Sequence, residues 1–360
     1  MNLFRSEEHV KRWPLYARAA EDYVMPVADW AGVFTGSLFQ RRLEPDYLDH
    51  SDDYLIQYHD DLHELGKASP FWQYPLIEAM DTISLSRYRV VGDYSRFDDP
   101  VLNDLKDARN GIVAGLESGS PHRENHLVWA APGSGKTYLV QEIARAYGDG
   151  CDYVEINLAK QGPDSFREAL DGLVGLQRPV LCLVDEVDAH AGTTWPYEVL
   201  MPHLDVTVEG RAHVVFVLAG SSGFSLEGMK QGIASRPKGN DVLSRLPSDN
   251  QFVIPPMSFG DRVLIVIAQM LKAGKELGYD IRAIEKLGLY YAAVNAKLTN
   301  ARQLQEFAAR AVARVPRGDD RVKYDQLFSP GDPENKRFWL DVSTAARGLV
   351  NSYVRIDNTP

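Results

Sequence analysis

The segment APGSGKT, residues 131–137, most constrains the fold, because it joins two predicted elements of different kinds. The residues before it, HLVWA, form an apolar run typical of a buried strand, and the residues after it have helical periodicity. Glycine can take backbone angles that are closed to other residues, so the two glycines predict a tight turn whose N–H groups point inward. A strand, a glycine turn and a helix in this order predict the start of a parallel α/β fold.

This turn matches the pattern GxxxxGK[ST] of phosphate-binding loops (P-loops), except that Ala130 replaces the first glycine. Lys136 would reach the β- and γ-phosphates of a nucleotide, Thr137 would place its hydroxyl on Mg²⁺, and the helix start would add its positive dipole end. The alternative is a glycine turn that precedes Lys-Thr by chance. The predicted nucleotide-binding residues of the loop are Pro132, Gly133, Ser134, Gly135, Lys136, Thr137 and Tyr138.

A second candidate site lies in VLCLVDEVD, residues 180–188, where an apolar strand ends in acids. Asp185 would hold Mg²⁺, directly or through water, and Glu186 would polarise the attacking water. Two adjacent carboxylates after an apolar run also fit a solvated loop. The P-loop earlier in the chain favours the catalytic interpretation.

The distribution of elements along the chain predicts three domains. Residues 1–95, rich in Trp, Tyr, Asp and Pro, predict a mostly helical, adaptor-like domain. Residues 96–258 contain the apolar runs LVWA, YVEINL, VLCLV, HVVFVLAG and FVIPP between helical stretches, which predicts a parallel sheet covered on both faces. In residues 259–360 the strands are expected to stop, leaving a helical lid and tail. Helices are expected at 7–24, 98–116, 261–278, 281–297, 300–315 and within 337–354.

Five motifs, in the order PGSGKT, LVDEVD, AGSS, DVLSRL and LTNARQL, resemble those of the AAA+ ATPases over roughly residues 120–315. The first two are the most specific, and the others gain weight from their order. The resemblance implies an α/β P-loop NTPase fold with a five-stranded parallel sheet in the order 5-1-4-3-2 and a C-terminal helical lid. It also implies ATP and Mg²⁺ as ligands. The stretch NAKL at 295–298 lacks the acid of an NKxD guanine contact, which also favours ATP.

The resemblance assigns roles to three further polar residues. Ser221, after the strand HVVFVLAG, is similar to the sensor 1 residue that hydrogen-bonds the γ-phosphate or the attacking water. Arg302 is similar to sensor 2, with Asn300 as the cap of its helix. Asn157 is similar to the polar residue that restrains Glu186. The alternatives are turn residues after strands for Ser221 and Asn157, and a solvated helix face for Arg302.

Two arginines are candidates for the finger that one subunit inserts into its neighbour's site. Arg245 in DVLSRL resembles it, and Arg236 in SRPKGND competes with it. A guanidinium at the γ-phosphate stabilises the charge that develops during transfer. Both residues also fit ordinary surface arginines. A finger is useful only between subunits, so the resemblance implies a homo-oligomeric ring, often a hexamer.

Composition excludes several classes of function. The net charge of −11 argues against a general nucleic-acid binder, because such binding depends on cations that neutralise phosphates. No apolar run approaches the roughly 20 residues of a membrane span, and the charged start MNLFRSEEHVKRW does not resemble a signal peptide, so we expect a cytoplasmic protein. His122 and His126 are four residues apart, but no third metal ligand stands nearby.

The sequence therefore predicts a Mg²⁺-dependent ATPase that couples hydrolysis to the remodelling of a protein partner. A nucleotide-controlled signalling or assembly switch with slow hydrolysis is one alternative. A DNA-associated loader or initiator of the same family is another, which the acidic composition disfavours. A P-loop kinase for a small molecule is disfavoured by the acidic motif and by the arginines that follow it.

Overall fold

The computed structural model describes residues 26–50, 53–54, 57–58, 73–118, 124–205, 213–295, 297–298, 300–328 and 349–357. The chain divides into two compact units, Met1–Met80 and Asp81–Pro360. The helix expected at 7–24 lies outside the described residues. None of the helices in the described ranges has the length and apolar character needed to span a bilayer.

The described part of the first unit is helical and rich in aromatic contacts. Trp30 stacks on Phe34 with 5.5 Å between ring centroids, and Phe34 meets Phe39 edge-on at 4.7 Å. Aromatic pairs of this kind contribute packing energy beyond their buried area, which suits a small helical core. The helices are α1 (Val27–Phe34), α2 (Ser37–Gln40) and α3 (Gln73–Ala79).

The second unit contains the remaining elements. Its strands are β1 (Thr82–Ile83), β2 (Arg89–Val91), β3 (Tyr94–Ser95), β4 (His126–Ala130), β5 (Asp152–Asn157), β6 (Val180–Asp185), β7 (Val214–Gly220), β8 (Gln251–Ile254), β9 (Ala283–Glu285), β10 (Arg321–Val322) and β11 (Tyr353–Ile356). Its α-helices are α4 (Asp99–Glu117), α5 (Lys136–Tyr147), α6 (Pro163–Val174), α7 (Trp195–Leu200), α8 (Leu226–Ala234), α9 (Gly239–Leu243), α10 (Phe259–Leu277), α11 (Lys286–Val294) and α12 (Ala301–Val312).

The central sheet has five parallel strands in the order β5-β6-β7-β4-β8. Numbered within this sheet and read from the β8 edge, the order is 5-1-4-3-2, as predicted. Every residue of β6 and β7 is buried, which is the pattern of parallel strands that are covered on both faces. Alternate residues face two separate cores, with Cys182 and Phe216 in one and Leu181 and Val215 in the other.

The predicted domain boundary at residue 95 falls inside the second unit. Strands β2 and β3 form an antiparallel hairpin whose Val90, Val91 and Tyr94 share a buried cluster with Leu105 of α4 and Val128 of β4. The hairpin therefore belongs with the central sheet, because its apolar side chains are buried there. The composition of residues 1–95 carries no sign of this contact.

The prediction that strands stop after Pro256 is wrong. The described residues form a second sheet with the strand order β1-β11-β9-β10. Its two outer pairs of strands are parallel, and its central pair is antiparallel. Strand β9 lies where the first part of a helix was expected at 281–297. Strand β11 begins at the last two residues of the range 337–354, in which another helix was expected; most of that range lies outside the described residues. Strands of two to four residues are too short to show a two-residue period, so periodicity could not identify them.

A buried carboxylate joins three segments of this second sheet. Glu285, 4% exposed, accepts the backbone N–H of Tyr324 at 2.6 Å and that of Asn351 at 2.7 Å. Beside it, the ammonium of Lys286 lies 3.0 Å from Asp81 Oδ1. The residues 81–83, 283–286, 321–324 and 351–356 thus meet although they are far apart in the sequence. The carboxylate satisfies backbone donors that would otherwise be buried without a partner.

The first residue of β4, His126, makes folding stability dependent on pH. Its side chain is 1% exposed, and neither ring nitrogen has a hydrogen-bond partner in the described part of the chain. Burial lowers its pKa from 6.5 to about 4. The folded state therefore holds the ring neutral, so stability is fully present above pH 6.5 and is lost as the pH falls towards 4.

We expect His126→Leu to remove this acid sensitivity. Between pH 7 and pH 5 the wild type should lose about 2 kcal/mol of unfolding free energy more than the variant does. Urea unfolding followed by circular dichroism at both pH values measures the difference. His50→Gln, at a half-exposed histidine, is the control. If the wild type and His126→Leu lost the same unfolding free energy between these pH values, the expectation would be contradicted.

Candidate active site

The P-loop lies between the end of β4 and the start of α5. Gly133 and Gly135 have φ of 76° and 88°, in the left-handed region that other residues enter only at a cost. Gly135 is the residue before Lys136, the first residue of α5, so the N–H groups of the first turn face the loop. The strand, turn and helix expected from APGSGKT are therefore present, and together they form a cradle for an anion.

A tyrosine of the β2–β3 hairpin contacts this loop and forms a hydrogen bond with it. Tyr94, 5% exposed, donates its hydroxyl to the carbonyl oxygen of Ser134 at 3.2 Å. A Cβ at Gly135 would lie 3.2 Å from Tyr94 Cε2, so a side chain there would press against the ring. Tyr94 could not be identified from the sequence, because no local pattern links a hairpin residue to a loop forty positions later.

Lys136, Asp185 and Glu186 converge at the mouth of the loop. Lys136 Nζ lies 2.7 Å from Asp185 Oδ1 and 3.1 Å from Glu186 Oε1. Burial alone would lower the pKa of Lys136, but hydrogen bonds and charge attraction from the two carboxylates outweigh it and raise that pKa. The ammonium is therefore charged at neutral pH. The structure thus brings together the cation of one predicted motif and the acids of the other.

Glu186 has an unusual backbone conformation. Its φ is 56°, which is uncommon for a residue with a side chain, and its N–H donates to Asp185 Oδ1 at 2.8 Å. Residues held in such conformations concentrate at functional sites, where the surrounding structure enforces them. The Glu186 side chain is 37% exposed, whereas that of the preceding Asp185 is 8% exposed.

Ser221 follows β7 at the same edge of the sheet. The backbone N–H of Ser221 and that of Ser222 both donate to Asp188 Oδ2, at 3.0 and 2.6 Å. The carbonyl oxygen of Ser222 accepts the indole N–H of Trp129 at 3.0 Å. Parallel strands end at the same edge, which is why Ser221, Glu186 and the P-loop are close. Asp188 and Trp129 carry no role in the sequence analysis.

Asn157 ends β5 directly opposite Asp185 in the sheet register. Its Oδ1 is buried and has no hydrogen-bond partner among the described residues. Within those residues no hydrogen bond joins Asn157 to Glu186, so the restraint implied by the resemblance stays a prediction. An unpaired buried amide oxygen at this position is open to a donor that enters the site.

The two candidate arginines differ in how their own chain holds them. Arg236 donates to the carbonyl oxygens of Ala189, at 2.7 Å, and of Asp188, and its guanidinium lies 5.6 Å from the ring centre of Tyr197. Arg245 pairs with Asp205, whose side chain is 50% exposed, through Nε at 2.6 Å and Nη2 at 3.3 Å, and its Nη1 donates to the carbonyl oxygen of Asp241 at 2.5 Å.

Both guanidiniums are therefore engaged by their own chain, Arg245 by a carboxylate and a carbonyl oxygen and Arg236 by two carbonyl oxygens and a ring. Both residues stay candidates for the arginine that acts on another subunit.

The start of α12 lies against the P-loop. A Cβ at Gly133 would come within 3.5 Å of the Asn300 Cβ. Asn300 caps α12 as expected, accepting the Gln303 N–H at 3.0 Å, and the Gln303 side chain returns to the Asn300 N–H at 3.3 Å. Arg302 is exposed in the first turn of this helix. The predicted sensor 2 residue is thus carried by a helix that begins beside the candidate nucleotide site.

A buried ion pair joins α10 to the segment that follows the β2–β3 hairpin. Arg96 Nη2 lies 2.9 Å from Asp261 Oδ2, and the two side chains are 3% and 1% exposed. Arg96 also donates to the carbonyl oxygens of Pro255 and Pro256 at 3.2 and 3.1 Å, and the Phe97 N–H donates to Asp261 Oδ1 at 2.7 Å. These bonds pair the two charges, while Arg96 Nε is buried without a hydrogen-bond partner among the described residues. The pair was not predicted, since its members are far apart in sequence.

Residues that could hold a metal ion are few. Among the described residues no group of three or more His, Cys, Asp or Glu side chains is arranged as a metal site. Thr137 lies in the first turn of α5 and Asp185 ends β6, so a hydroxyl and a carboxylate are available beside the P-loop. An ion with so few protein ligands needs oxygens from water or a bound phosphate, as Mg²⁺ commonly takes.

Residues 126–229 match the family model described as "ATPase family associated with various cellular activities (AAA)". Among solved structures, a RuvB variant from Thermotoga maritima is 14% identical, with a TM-score of 0.42 over 72% of this chain and 73% of that one. NtrX from Brucella abortus, in complex with ATP, is 18% identical, with a TM-score of 0.44 over 71% of this chain and 63% of that one. Both TM-scores lie below 0.5, so these likenesses carry no further argument. No curated protein matches the chain.

Proposed function

We propose that the chain binds ATP with Mg²⁺ and hydrolyses it, because residues 126–229 match the family model of the AAA ATPases. The observation that carries the proposal is the convergence of one cation and two carboxylates beside the glycine loop, with Lys136 Nζ 2.7 Å from Asp185 and 3.1 Å from Glu186. Phosphoryl transfer needs charges that are positioned before the reaction, and the ends of parallel strands hold them here.

The loop residues fit a phosphate group. Gly133 and Gly135 hold the backbone in the conformation that turns N–H groups inward, and α5 begins at the loop. Ser134 is 5% exposed, and its Oγ has no hydrogen-bond partner in the described part of the chain. A buried hydroxyl without a partner is costly, so it favours a ligand that accepts its hydrogen bond.

The same residues fit Mg²⁺. Thr137 and Asp185 would hold the ion, which when bound supplies positive charge against the phosphate oxygens. Lys136 now pairs with Asp185, and a triphosphate offers its ammonium several negative oxygens in exchange. Asp185 is then available to the ion and Glu186 to water.

The proposed reaction is attack of water on the γ-phosphorus. Glu186 accepts a proton from the water, the bond between the γ-phosphorus and its bridging oxygen breaks, and that oxygen leaves with ADP. Ser221 would hydrogen-bond the γ-phosphate or the water, Arg302 would contact the nucleotide from the lid, and Asn157 would restrain Glu186. The positions of β7, α12 and β5 around the loop support these three assignments.

We further propose that copies of the chain form a ring, often a hexamer. ATP hydrolysis by this ring would remodel a protein partner in the cytoplasm. Arg245 of one copy would reach the ATP of the next. The resemblance of DVLSRL to the family motif supports this choice over Arg236, because the chain itself engages both guanidiniums. Nucleic acid is a disfavoured partner at a net charge of −11.

We expect Arg245→Ala to bind nucleotide normally and to hydrolyse ATP about 10³- to 10⁵-fold more slowly, because the developing charge on the γ-phosphate loses its guanidinium. Equimolar mixing with Glu186→Gln should restore part of the turnover, since a mixed assembly contains sites with an intact Glu186 and a neighbour's intact Arg245. Phosphate release with ATP or GTP, with and without EDTA, measures the rate, and mass photometry follows assembly.

Arg167→Ala, at an exposed arginine on α6, is the control and should behave as the wild type. No recovery on mixing, together with a monomeric mass at every nucleotide state, would contradict the arginine in trans. Slow wild-type turnover with retained ADP would favour the switch, and stimulation by DNA would favour the loader or initiator. A wild type that releases no phosphate would overturn the proposed function itself.

A further inference from the structure

Asp188, the last acid of LVDEVD, lies between the two loops that carry the proposed catalytic residues. It is the third residue after Asp185, and its carboxylate points towards the end of β7 rather than towards Lys136. One oxygen, Oδ2, accepts the N–H groups of Ser221 and Ser222 at 3.0 and 2.6 Å. A carboxylate that accepts two backbone N–H bonds forms short, charge-assisted contacts, which are about twice as strong as neutral ones.

The remaining contacts of this loop make the position rigid. Trp129, on the strand before the P-loop, donates to the Ser222 carbonyl oxygen at 3.0 Å, so Ser222 is held by both of its backbone groups. On the other side, Arg236 binds the carbonyl oxygens of Asp188 and Ala189. The Val187 N–H donates to the Ala219 carbonyl oxygen at 2.9 Å.

The carboxylate of Asp188 lies so close to Gly220 that a side chain at this position would collide with it. A Cβ at this position would lie 2.9 Å from Asp188 Cγ and 2.5 Å from Met229 Sδ, closer than real Cβ contacts. The glycine allows Asp188 to approach the strand end directly. The sequence AGSS is therefore explained by a contact with the acidic loop, in addition to any contact with a nucleotide.

We infer that Asp188 is a positioning residue, which sets Ser221 relative to Glu186 by accepting the two N–H groups that follow β7. The inference rests on the proposed function, because it concerns the geometry of that reaction. Among the described residues, the hydrogen bonds of Asp188 go to Ser221, Ser222 and Arg236, and the ion pairs of Lys136 go to Asp185 and Glu186. The loss of Asp188 should therefore affect turnover much more than nucleotide affinity. Displacements of about 1 Å in a catalytic group are enough for large losses of rate.

The test compares Asp188→Ala and Asp188→Asn with the wild type. Alanine leaves both N–H groups without their acceptor, and we expect kcat to fall about 10²-fold while the affinity for fluorescent ATP changes less than about threefold. Asparagine retains a neutral oxygen acceptor, so it should recover part of kcat. Asp164→Asn, at an acid that is 92% exposed on α6, is the matched control. Thermal unfolding is measured for each variant.

A double-mutant cycle with Ser221→Ala tests the route of the effect. If Asp188 acts through Ser221, the double variant should be about as slow as the slower single variant, instead of showing the product of both losses. Multiplicative losses, or affinity and melting temperature falling together with kcat, would overturn the inference in favour of a general structural role. An unchanged kcat in Asp188→Ala would overturn this inference and leave the proposed function in place. A wild type without turnover would overturn both.

Discussion

Replacing Lys136 with alanine should abolish nucleotide binding at micromolar concentrations and reduce ATP turnover below detection. The side chain is the cation that lies closest to the glycine loop, and its ammonium is charged because Asp185 and Glu186 raise its pKa. Without it, a triphosphate loses the ammonium that would pair with its oxygens, and the two carboxylates repel it more strongly. Isothermal titration with ATP and Mg²⁺, together with phosphate release, measures both effects.

Two further variants separate the charge of Lys136 from its packing. Lys136→Met keeps an unbranched apolar stem but lacks the ammonium, and it should fail in the same way. Lys160→Ala, at an exposed lysine after β5, should bind ATP as the wild type does. Circular dichroism checks that each variant is folded. Affinity of Lys136→Met within threefold of the wild type would contradict the assignment of this loop.

The second large effect is expected for Glu186→Gln. The amide has nearly the same shape as the carboxylate but cannot accept the proton of the attacking water, so kcat should fall by about 10²- to 10⁴-fold. Nucleotide affinity should stay within about threefold or increase, because the variant releases Lys136 from one of its two acid partners. Single-turnover hydrolysis and fluorescent ATP binding measure the two quantities separately.

The control for this substitution is Glu168→Gln, at an exposed glutamate on α6. It removes the same charge without touching the site, so turnover should not change. Turnover by Glu186→Gln at the wild-type rate would remove Glu186 from the catalytic role, and Asp185 would then be the carboxylate to test. Loss of ATP binding together with turnover would instead indicate that Glu186 supports the structure of the loop.

Much of the central sheet could be predicted because its information is local. The apolar runs identify β4, β6 and β7, and Gly133 and Gly135 identify a left-handed turn. The cap at Asn300 depends only on Gln303, three residues later. The strand order came from the resemblance, since periodicity does not specify which strands are neighbours.

The second sheet could not be predicted for the opposite reason. Strand β9 pairs with β10 and β11, and each has too few residues to display a period. Glu285 holds them by accepting N–H groups from two distant segments. Nothing near Glu285 in the sequence distinguishes it from a surface acid on a helix.

The amino-acid sequence by itself determined the glycine loop, the acids after β6 and the strands that carry them, because backbone preference and burial pattern act over neighbouring residues. Only the tertiary structure decided that Tyr94 supports the loop, that Asp188 holds the backbone after β7, and that Arg236 is engaged within its own chain. Each of these contacts joins residues that are far apart along the chain. Their hydrogen bonds exist only after the strands have paired and the loops have come together at one edge of the sheet.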